Sequence, residues 1–339
     1  MNIFKKLYKA IAPKALKNMI AGFRQRIADF RHRNREACWG SENPDKVFLL
    51  LQIIGKHIGL AAAMLIAIRN IMYAEKMGYI PIIDLMNVES QYHDKIAFGK
   101  DNAWEYYFDQ PCIYGLQDIS KSKNIIIFKN ENKHKIDFFK WENIAFELMH
   151  FDKDLEGRIL EYKKYFKQYI KFSKKMQEKM HKDYETILEG KEKVLGVVGR
   201  GAEFILRKPQ NHRVVPEPSV LLEKTKEVFK QQKFNYIYLA TEDCDVYQLF
   251  KEHFKEKLLD NGQRRVSFAD VEKHDFLADV NFNYAERPKY NLGFDYLSSI
   301  YLLSKCNGIL GSVVSATIVA YIMSDGYEYQ YFFDLGVYS

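Results

Sequence analysis

A chain of 339 residues is long enough for two ordinary domains. Hydrophobic side chains make up 47% and charged ones 28%, which excludes a disordered or fibrous chain and points to a globular core. The net charge of +7 is concentrated at the start, where Lys5, Lys6, Lys9, Lys14, Lys17, Arg24, Arg26, Arg31, Arg33 and Arg35 are opposed before Arg35 only by Asp29.

Residues 1–38 set Ile3, Phe4, Leu7, Ile11, Leu16, Ile20, Phe23, Ile27 and Phe30 between those charges at spacings of three and four. The pattern predicts a basic amphipathic helix, interrupted near Pro13. Such a helix lies on an anionic membrane surface or packs on the body of the protein. No nucleic-acid motif follows it. Cys38, Cys112, Cys244 and Cys306 lie far apart, with no CxxC pair and no Cys/His cluster. That argues against zinc and against a disulfide framework, and favours a reducing cytoplasm. No signal peptide is evident, and the longest apolar run, Ile58 to Ile68, is too short to span a bilayer.

Val47 to Leu51 reads as the first core strand. A turn with Gly55, His57 and Gly59 follows, then a helix from about Leu60 to Lys76, and a second strand over Tyr79 to Asp84. This is a βαβ unit whose turn is a candidate anion site. The aromatic segment Asn102 to Phe108 predicts a packed surface helix or a groove for a sugar or partner. Asn124 to Phe128 predicts a strand. Residues 151–190 predict a long charged helical region with Leu155, Ile159, Tyr162, Phe166 and Ile170 on one face, and a domain boundary falls near Gly190.

The second half repeats the alternation. Val194 to Val198 predicts a buried strand, ending in Gly199-Arg200-Gly201 with Glu203 three residues after the arginine. The two glycines relax the backbone so that a ligand can approach. Arg200 stands at the carboxyl end of its strand, where open α/β sheets bind ligands, and a guanidinium grips phosphate oxygens bidentately. A surface turn in which Arg200 simply pairs with Glu203 is the plainer alternative. A polar loop holding His212 leads to a helix over Ser219 to Gln231. The strand Tyr236 to Ala240 then runs into Thr241, Glu242 and Asp243, again a candidate site at a carboxyl strand end, with helix N-capping the alternative for Thr241 or Asp243. Residues 260–292 read as irregular, and Asp295 to Lys305 as a helix. A strand over Gly308 to Gly311 follows, and Ser312 to Thr317 open the next helix, where capping alone also accounts for Ser315. A parallel sheet places Arg200, Thr241 to Asp243 and Ser312 to Thr317 on one edge, a site for an anionic, nucleotide-like ligand.

These residues carry a resemblance. Gly196 to Glu203 is similar to the His-X-Arg-(Arg/Gly)-X-(Asp/Glu) segment of the GDP-fucose-dependent fucosyltransferases, the superfamily of α1,6-, α1,2- and protein O-fucosyltransferases. Tyr236 to Asp243 resembles its second motif. Ser299 to Asn307 with Gly311 to Ser315 resembles its third. The turn at Gly55 and Gly59 resembles the Gly-rich segment before the first helix of the α1,6 branch. Val198 stands where many members carry His, Gly201 replaces a second Arg, Glu203 replaces Asp, and Ala316 replaces Gln. Ser299 stands where the α1,6 enzymes carry a donor-binding Asp, and Asp295, one helical turn earlier, is the candidate substitute.

The resemblance implies an α/β, GT-B-like fold of two facing Rossmann-like domains with parallel sheets, plus the N-terminal helical arm. The expected layout is 1–40 for the arm, 41–190 for an acceptor-side domain with its connector at 151–190, and 191–339 for a nucleotide-sugar domain. It implies inverting transfer of fucose from GDP-fucose to a hydroxyl of a glycan or lipid-linked oligosaccharide, with no metal and no cofactor. Arg200 and Glu203 are the catalytic candidates. Gly55, Gly59, Gly201, Thr241, Glu242, Asp243, Asp295, Ser312 and Ser315 are the donor-binding ones. Glu203, His57 and His212 are the candidate bases. The expected setting is cytoplasmic, peripheral to the inner membrane face, in surface-polysaccharide synthesis. Another nucleotide sugar as donor, or a non-catalytic sugar- or membrane-binding relative, stands as the alternative.

Overall fold

The computed structural model describes residues 35–129 and 155–338, apart from Lys56, Gly201, Gln210, Asn211, Asp275, Tyr284, Ala285 and Arg287. The amphipathic arm therefore lies outside the described residues, except at its end. There Arg35–Ala37 forms a strand, β1, rather than a continuation of helix.

The first half builds β2 (Phe48–Gln52), α1 (Leu60–Met77), β3 (Ile80–Asp84), a short α2 (Leu116–Ile119) and β4 (Ile125–Lys129). The sheet order is β1-β4-β2-β3. β2 pairs in parallel with β3 and β4, while β1 adds an antiparallel edge. Gly78 ends α1 in the left-handed conformation, as a C-terminal glycine does. Alternation decides the faces of β2: Leu49 and Leu51 enter the central core, Phe48 and Leu50 the outer one.

Two helices follow, α3 (Leu155–Tyr169) and α4 (Lys174–Ile187), so the helical region expected over 151–190 consists of two helices with a break between them. The break has a local cause. Ser173 caps α4 by accepting a hydrogen bond from the Met176 amide, and its own N–H donates to the Tyr107 carbonyl at 2.8 Å. This connector also buries Ile159, Tyr162, Met176 and Met180 against helices from both halves.

The second half gives β5 (Val194–Gly199), α5 (Ala202–Arg207), α6 (Pro218–Gln231), β6 (Tyr236–Thr241), α7 (Cys244–Phe254), β7 (Leu258–Leu259), α8 (Phe268–Lys273), α9 (Leu277–Phe282), α10 (Tyr290–Ser304), β8 (Gly308–Ser312), α11 (Ser315–Met323) and β9 (Tyr329–Phe333). Its five strands run β7-β6-β5-β8-β9, all parallel. β5 is buried along its whole length, with Leu195 and Val197 facing α6 and α7, and Val194 and Val198 facing the central core. Both β9 and the short helices α8 and α9 were hidden from the sequence pattern.

The central core joins the halves. α1, α3, α10 and α11 pack together there with Trp104, Tyr107 and Phe108, all three fully buried. The aromatic segment 102–108 is thus a buried series of turns, not a surface helix. Gly293 of α10 makes the approach possible, because a Cβ there would lie 2.3 Å from the Tyr107 ring.

Candidate active site

The site begins at the carboxyl end of β5. A strand of six buried residues stops where Arg200 emerges, and α5 starts two residues later. A Cβ on Gly199 would meet Val246 at 3.0 Å and Thr241 at 3.3 Å, so the glycine serves close packing, and its backbone also lines two small hollows of the site. Gly201 lies outside the described residues.

Arg200 lies over the Phe204 ring, its Cζ 4.6 Å from the centroid. It borders a cleft of about 970 Å³, counting space open to solvent. That cleft is also lined by His57, Glu203, His212, Tyr296 and Ser315. The wall supplied by α1 and its preceding turn faces the wall supplied by the ends of β5 and β8. Burial works against the Arg200 charge, but Glu203, Tyr296, Glu242 and Tyr92 outweigh it and hold the guanidinium above its ordinary pKa. A cation held in this way suits a phosphate-bearing ligand.

Two smaller hollows continue from the Arg200 turn. One runs between Glu203, Glu242 and Val266, the other between Glu242, Tyr296 and Ser299. Burial pushes the Glu242 carboxyl up, with Arg200 pulling it down and Glu203 adding to the rise. Burial and then Arg200 push His212 down, against Glu203, so the imidazole is neutral at pH 7. Glu203 accepts the Leu277 N–H at 3.3 Å and thereby ties α9 to the site.

α11 opens into the same cleft. Its N-cap is Val314, with no side-chain cap, and Ser315 is the first helical residue. Capping therefore does not account for Ser315. The first N–H groups of a helix suit an anion.

The other donor-side candidates fall into place unequally. Asp243 is 4% exposed and caps α7, accepting from the Asp245 and Val246 amides at 2.8 and 3.1 Å. Thr241 is buried, with its hydroxyl accepting the Asp243 N–H. Both shape the turn and each also lines one of the two smaller hollows, Asp243 the one beside Val266 and Thr241 the one beside Ser299, whereas Glu242 lines both. Ser312 is buried, and its carbonyl accepts from the Thr317 hydroxyl. Asp295 pairs with Lys179 of α4 at 3.4 Å and borders a polar hollow beyond Tyr296, so the structure does not bring it or Ser312 to the cleft. The Ser299 hydroxyl is 3.1 Å from the Tyr238 hydroxyl inside the core. Gly55 takes a φ of +136° in the turn, and Gly59 is the N-cap of α1 and lines the cleft. Among the described residues no group of three or more His, Cys, Asp or Glu side chains could hold a metal ion. Nor is any helix among them long and apolar enough to cross a membrane.

Some cleft residues escaped the sequence reading. Tyr296 lines the cleft, the hollow beside Ser299 and the polar hollow that Asp295 borders. It was findable, because helical spacing puts it on one face with Ser299, Ile300 and Leu303. Phe276 and Asp279 were not, since they sit in a stretch without periodicity and reach the cleft only through tertiary contact.

Neither a family model nor a curated protein matches the sequence. Solved structures do match by fold. The NodZ alpha-1,6-fucosyltransferase, known from Bradyrhizobium and soaked with GDP-fucose, superposes with a TM-score of 0.50 at 14% identity, over 86% of this chain and 96% of that one. FUT1 from Arabidopsis thaliana, in complex with GDP, gives 0.47 at 10% identity over 96% and 76%. POFUT1 in complex with GDP-fucose gives 0.44 at 10% over 88% and 100%. The molecule is therefore an α/β protein of GT-B-like architecture. Its fold resembles that of the fucosyltransferases to which its three C-terminal motifs are also similar.

Proposed function

We propose that this chain is an inverting glycosyltransferase that moves fucose from GDP-fucose to a hydroxyl of a glycan acceptor. The observation that carries the reading is the cleft in which Arg200 and the first turn of α11 share one wall. Transfer with inversion puts the acceptor oxygen on one face of the anomeric carbon while the diphosphate departs from the other. The departing β-phosphate gains negative charge as the bond breaks. A preorganised guanidinium and a row of N–H groups hold that charge better in the transition state than in the ground state, which is what lowers a barrier. Glu203 keeps Arg200 charged and in place. Glu242 takes part in positioning the nucleotide. The assignment uses neither metal nor cofactor.

Within this reading, residues 191–339 bind the donor and residues 41–190 face the acceptor. The basic charge of residues 1–38 supports an anionic membrane surface as a partner, and hence a lipid-linked acceptor in surface-polysaccharide synthesis at the cytoplasmic face. GDP-fucose should raise the melting temperature, and Arg200→Ala should remove the shift. No shift with any GDP-sugar contradicts the reading.

One observation keeps a second donor in view. The Ser299 hydroxyl is engaged by Tyr238, and Asp295 is engaged by Lys179. The donor-binding Asp that the resemblance implies thus has no counterpart in the cleft. A panel of UDP-, GDP-, CMP- and ADP-sugars separates the readings, since stronger stabilisation by a non-GDP nucleotide selects another glycosyltransferase.

A further inference from the structure

His57 sits in the turn between β2 and α1 and lines the same cleft as Arg200. Its Nε2 lies 3.2 Å from Oδ1 of Asp279 on α9, a residue 222 positions away in sequence. The ring also stacks on Phe276, with centroids 4.3 Å apart and planes inclined by 33°. Two contacts from one short segment thus fix both the position and the tilt of the imidazole. A carboxylate only accepts hydrogen bonds, so Nε2 carries the proton and Nδ1 keeps its lone pair. Among the described residues nothing bonds Nδ1, and the side chain remains 35% exposed. This is the arrangement of a general base oriented by a carboxylate.

We propose that His57 and Asp279 form the base dyad of the transfer reaction, with His57 the catalytic residue and Asp279 a positioning residue. The inference rests on the glycosyl-transfer reading above. In the step it describes, Nδ1 takes the proton of the acceptor hydroxyl. The freed electron pair of that oxygen forms the new bond to the anomeric carbon. The bond from that carbon to the β-phosphate oxygen breaks, and its electron pair leaves with GDP beside Arg200. The imidazole then carries protons on both nitrogens, and the Asp279 carboxylate balances its charge.

The other charged groups of the cleft are less suited to the task. Arg200 and Arg213 are cations. Glu203 accepts the Leu277 amide and its charge serves to keep Arg200 protonated. His212 stands on the same side as Arg200, with its ring 5.5 Å from Phe204. Among the described residues lining the cleft, His57 is the imidazole that comes from the first half of the chain and has a carboxylate, Asp279, against its Nε2.

The test uses the full chain, GDP-fucose, and water as the acceptor, reading GDP release alongside GDP affinity by calorimetry. His57→Ala and His57→Gln should each lower kcat by about 100-fold or more with GDP affinity unchanged. Imidazole in the buffer should restore part of the loss in His57→Ala. Asp279→Asn should cost about 10-fold, and adding it to His57→Ala should cost nothing further, because it acts through His57. A merely structural role for Asp279 would add its loss in the double variant. Unchanged turnover in His57→Ala, or lost turnover that imidazole leaves unrestored, overturns the dyad while leaving the donor reading intact. Wild-type protein that binds no GDP and releases none from GDP-fucose overturns both.

Discussion

The two sheets end in the same grammar of strand, turn and helix, yet the end of β3 is closed where the ends of β5 and β6 are open, and of the first sheet it is the turn after β2 that reaches the cleft. At the carboxyl edge of the first sheet, Asp84 is 1% exposed and fully engaged. It accepts from the Gln52 side chain at 2.9 Å, from the Met86 and Asn87 amides at 2.9 and 3.1 Å, and from the Asn87 side chain. Asn102 closes the edge further by bonding the Ile83 carbonyl and the Leu85 amide. At the corresponding edge of the second sheet, Arg200, Glu203 and Glu242 border open hollows instead. A strand end becomes a site when its polar groups are directed at space rather than satisfied by the chain, so the fold alone does not decide where chemistry occurs.

Breaking each edge should give opposite signatures. Arg200→Ala should lower GDP release by about 100- to 1,000-fold, equivalent to about 3–4 kcal/mol of transition-state stabilisation, with little change in the unfolding midpoint. Asp84→Ala should do the reverse. It leaves several buried donors without an acceptor and should cost about 3 kcal/mol in urea unfolding, while the folded fraction still binds GDP. Gly311→Ala probes the frame beneath the active edge. Gly311 has a φ of +154°, and a Cβ there would lie 2.8 Å from Val198, so we expect a loss of about 2 kcal/mol.

The smallest effect should be the most telling about the second edge. Because burial raises the folded pKa of Glu242, its favourable contribution is present below the ordinary carboxyl value of 4.5 and is lost as pH rises through the folded value. Glu242→Gln should therefore melt higher than wild type at neutral pH, with the gain fading as pH falls below that ordinary value. An equal gain at all pH values would mean that ionisation of Glu242 is not the cause.

Much of the frame was legible because short β-branched runs between glycines and amphipathic stretches dictate strands and helices. β2, β5, β6 and β8, with α1, α6 and α10, fall close to where those patterns put them. Motif order also brought Arg200, Glu203, Glu242 and Ser315 into one neighbourhood. What the pattern could not supply was occupancy. Thr241 and Asp243 are as polar as Glu242, but the chain also uses them to build a cap, so each borders one hollow while Glu242 borders both. Asp295 has the right helical face, but Lys179 of the connector claims it. His57 acquires its partner from a stretch with no periodicity at all. Such outcomes depend on tertiary neighbours, which spacing along the chain does not encode. The aromatic segment 102–108 failed for a related reason. Tyrosine and tryptophan at the surface and in a core look alike in sequence, and here the core won.

The central claim is that Arg200 holds the diphosphate of a GDP-sugar, and a crystal structure of the full chain grown with GDP addresses it most directly. The account predicts β-phosphate oxygens within about 2.7–2.9 Å of the Arg200 guanidinium, with further contacts from the first amides of α11. A diphosphate bound elsewhere in the molecule, with no phosphate oxygen at the Arg200 guanidinium, would contradict it.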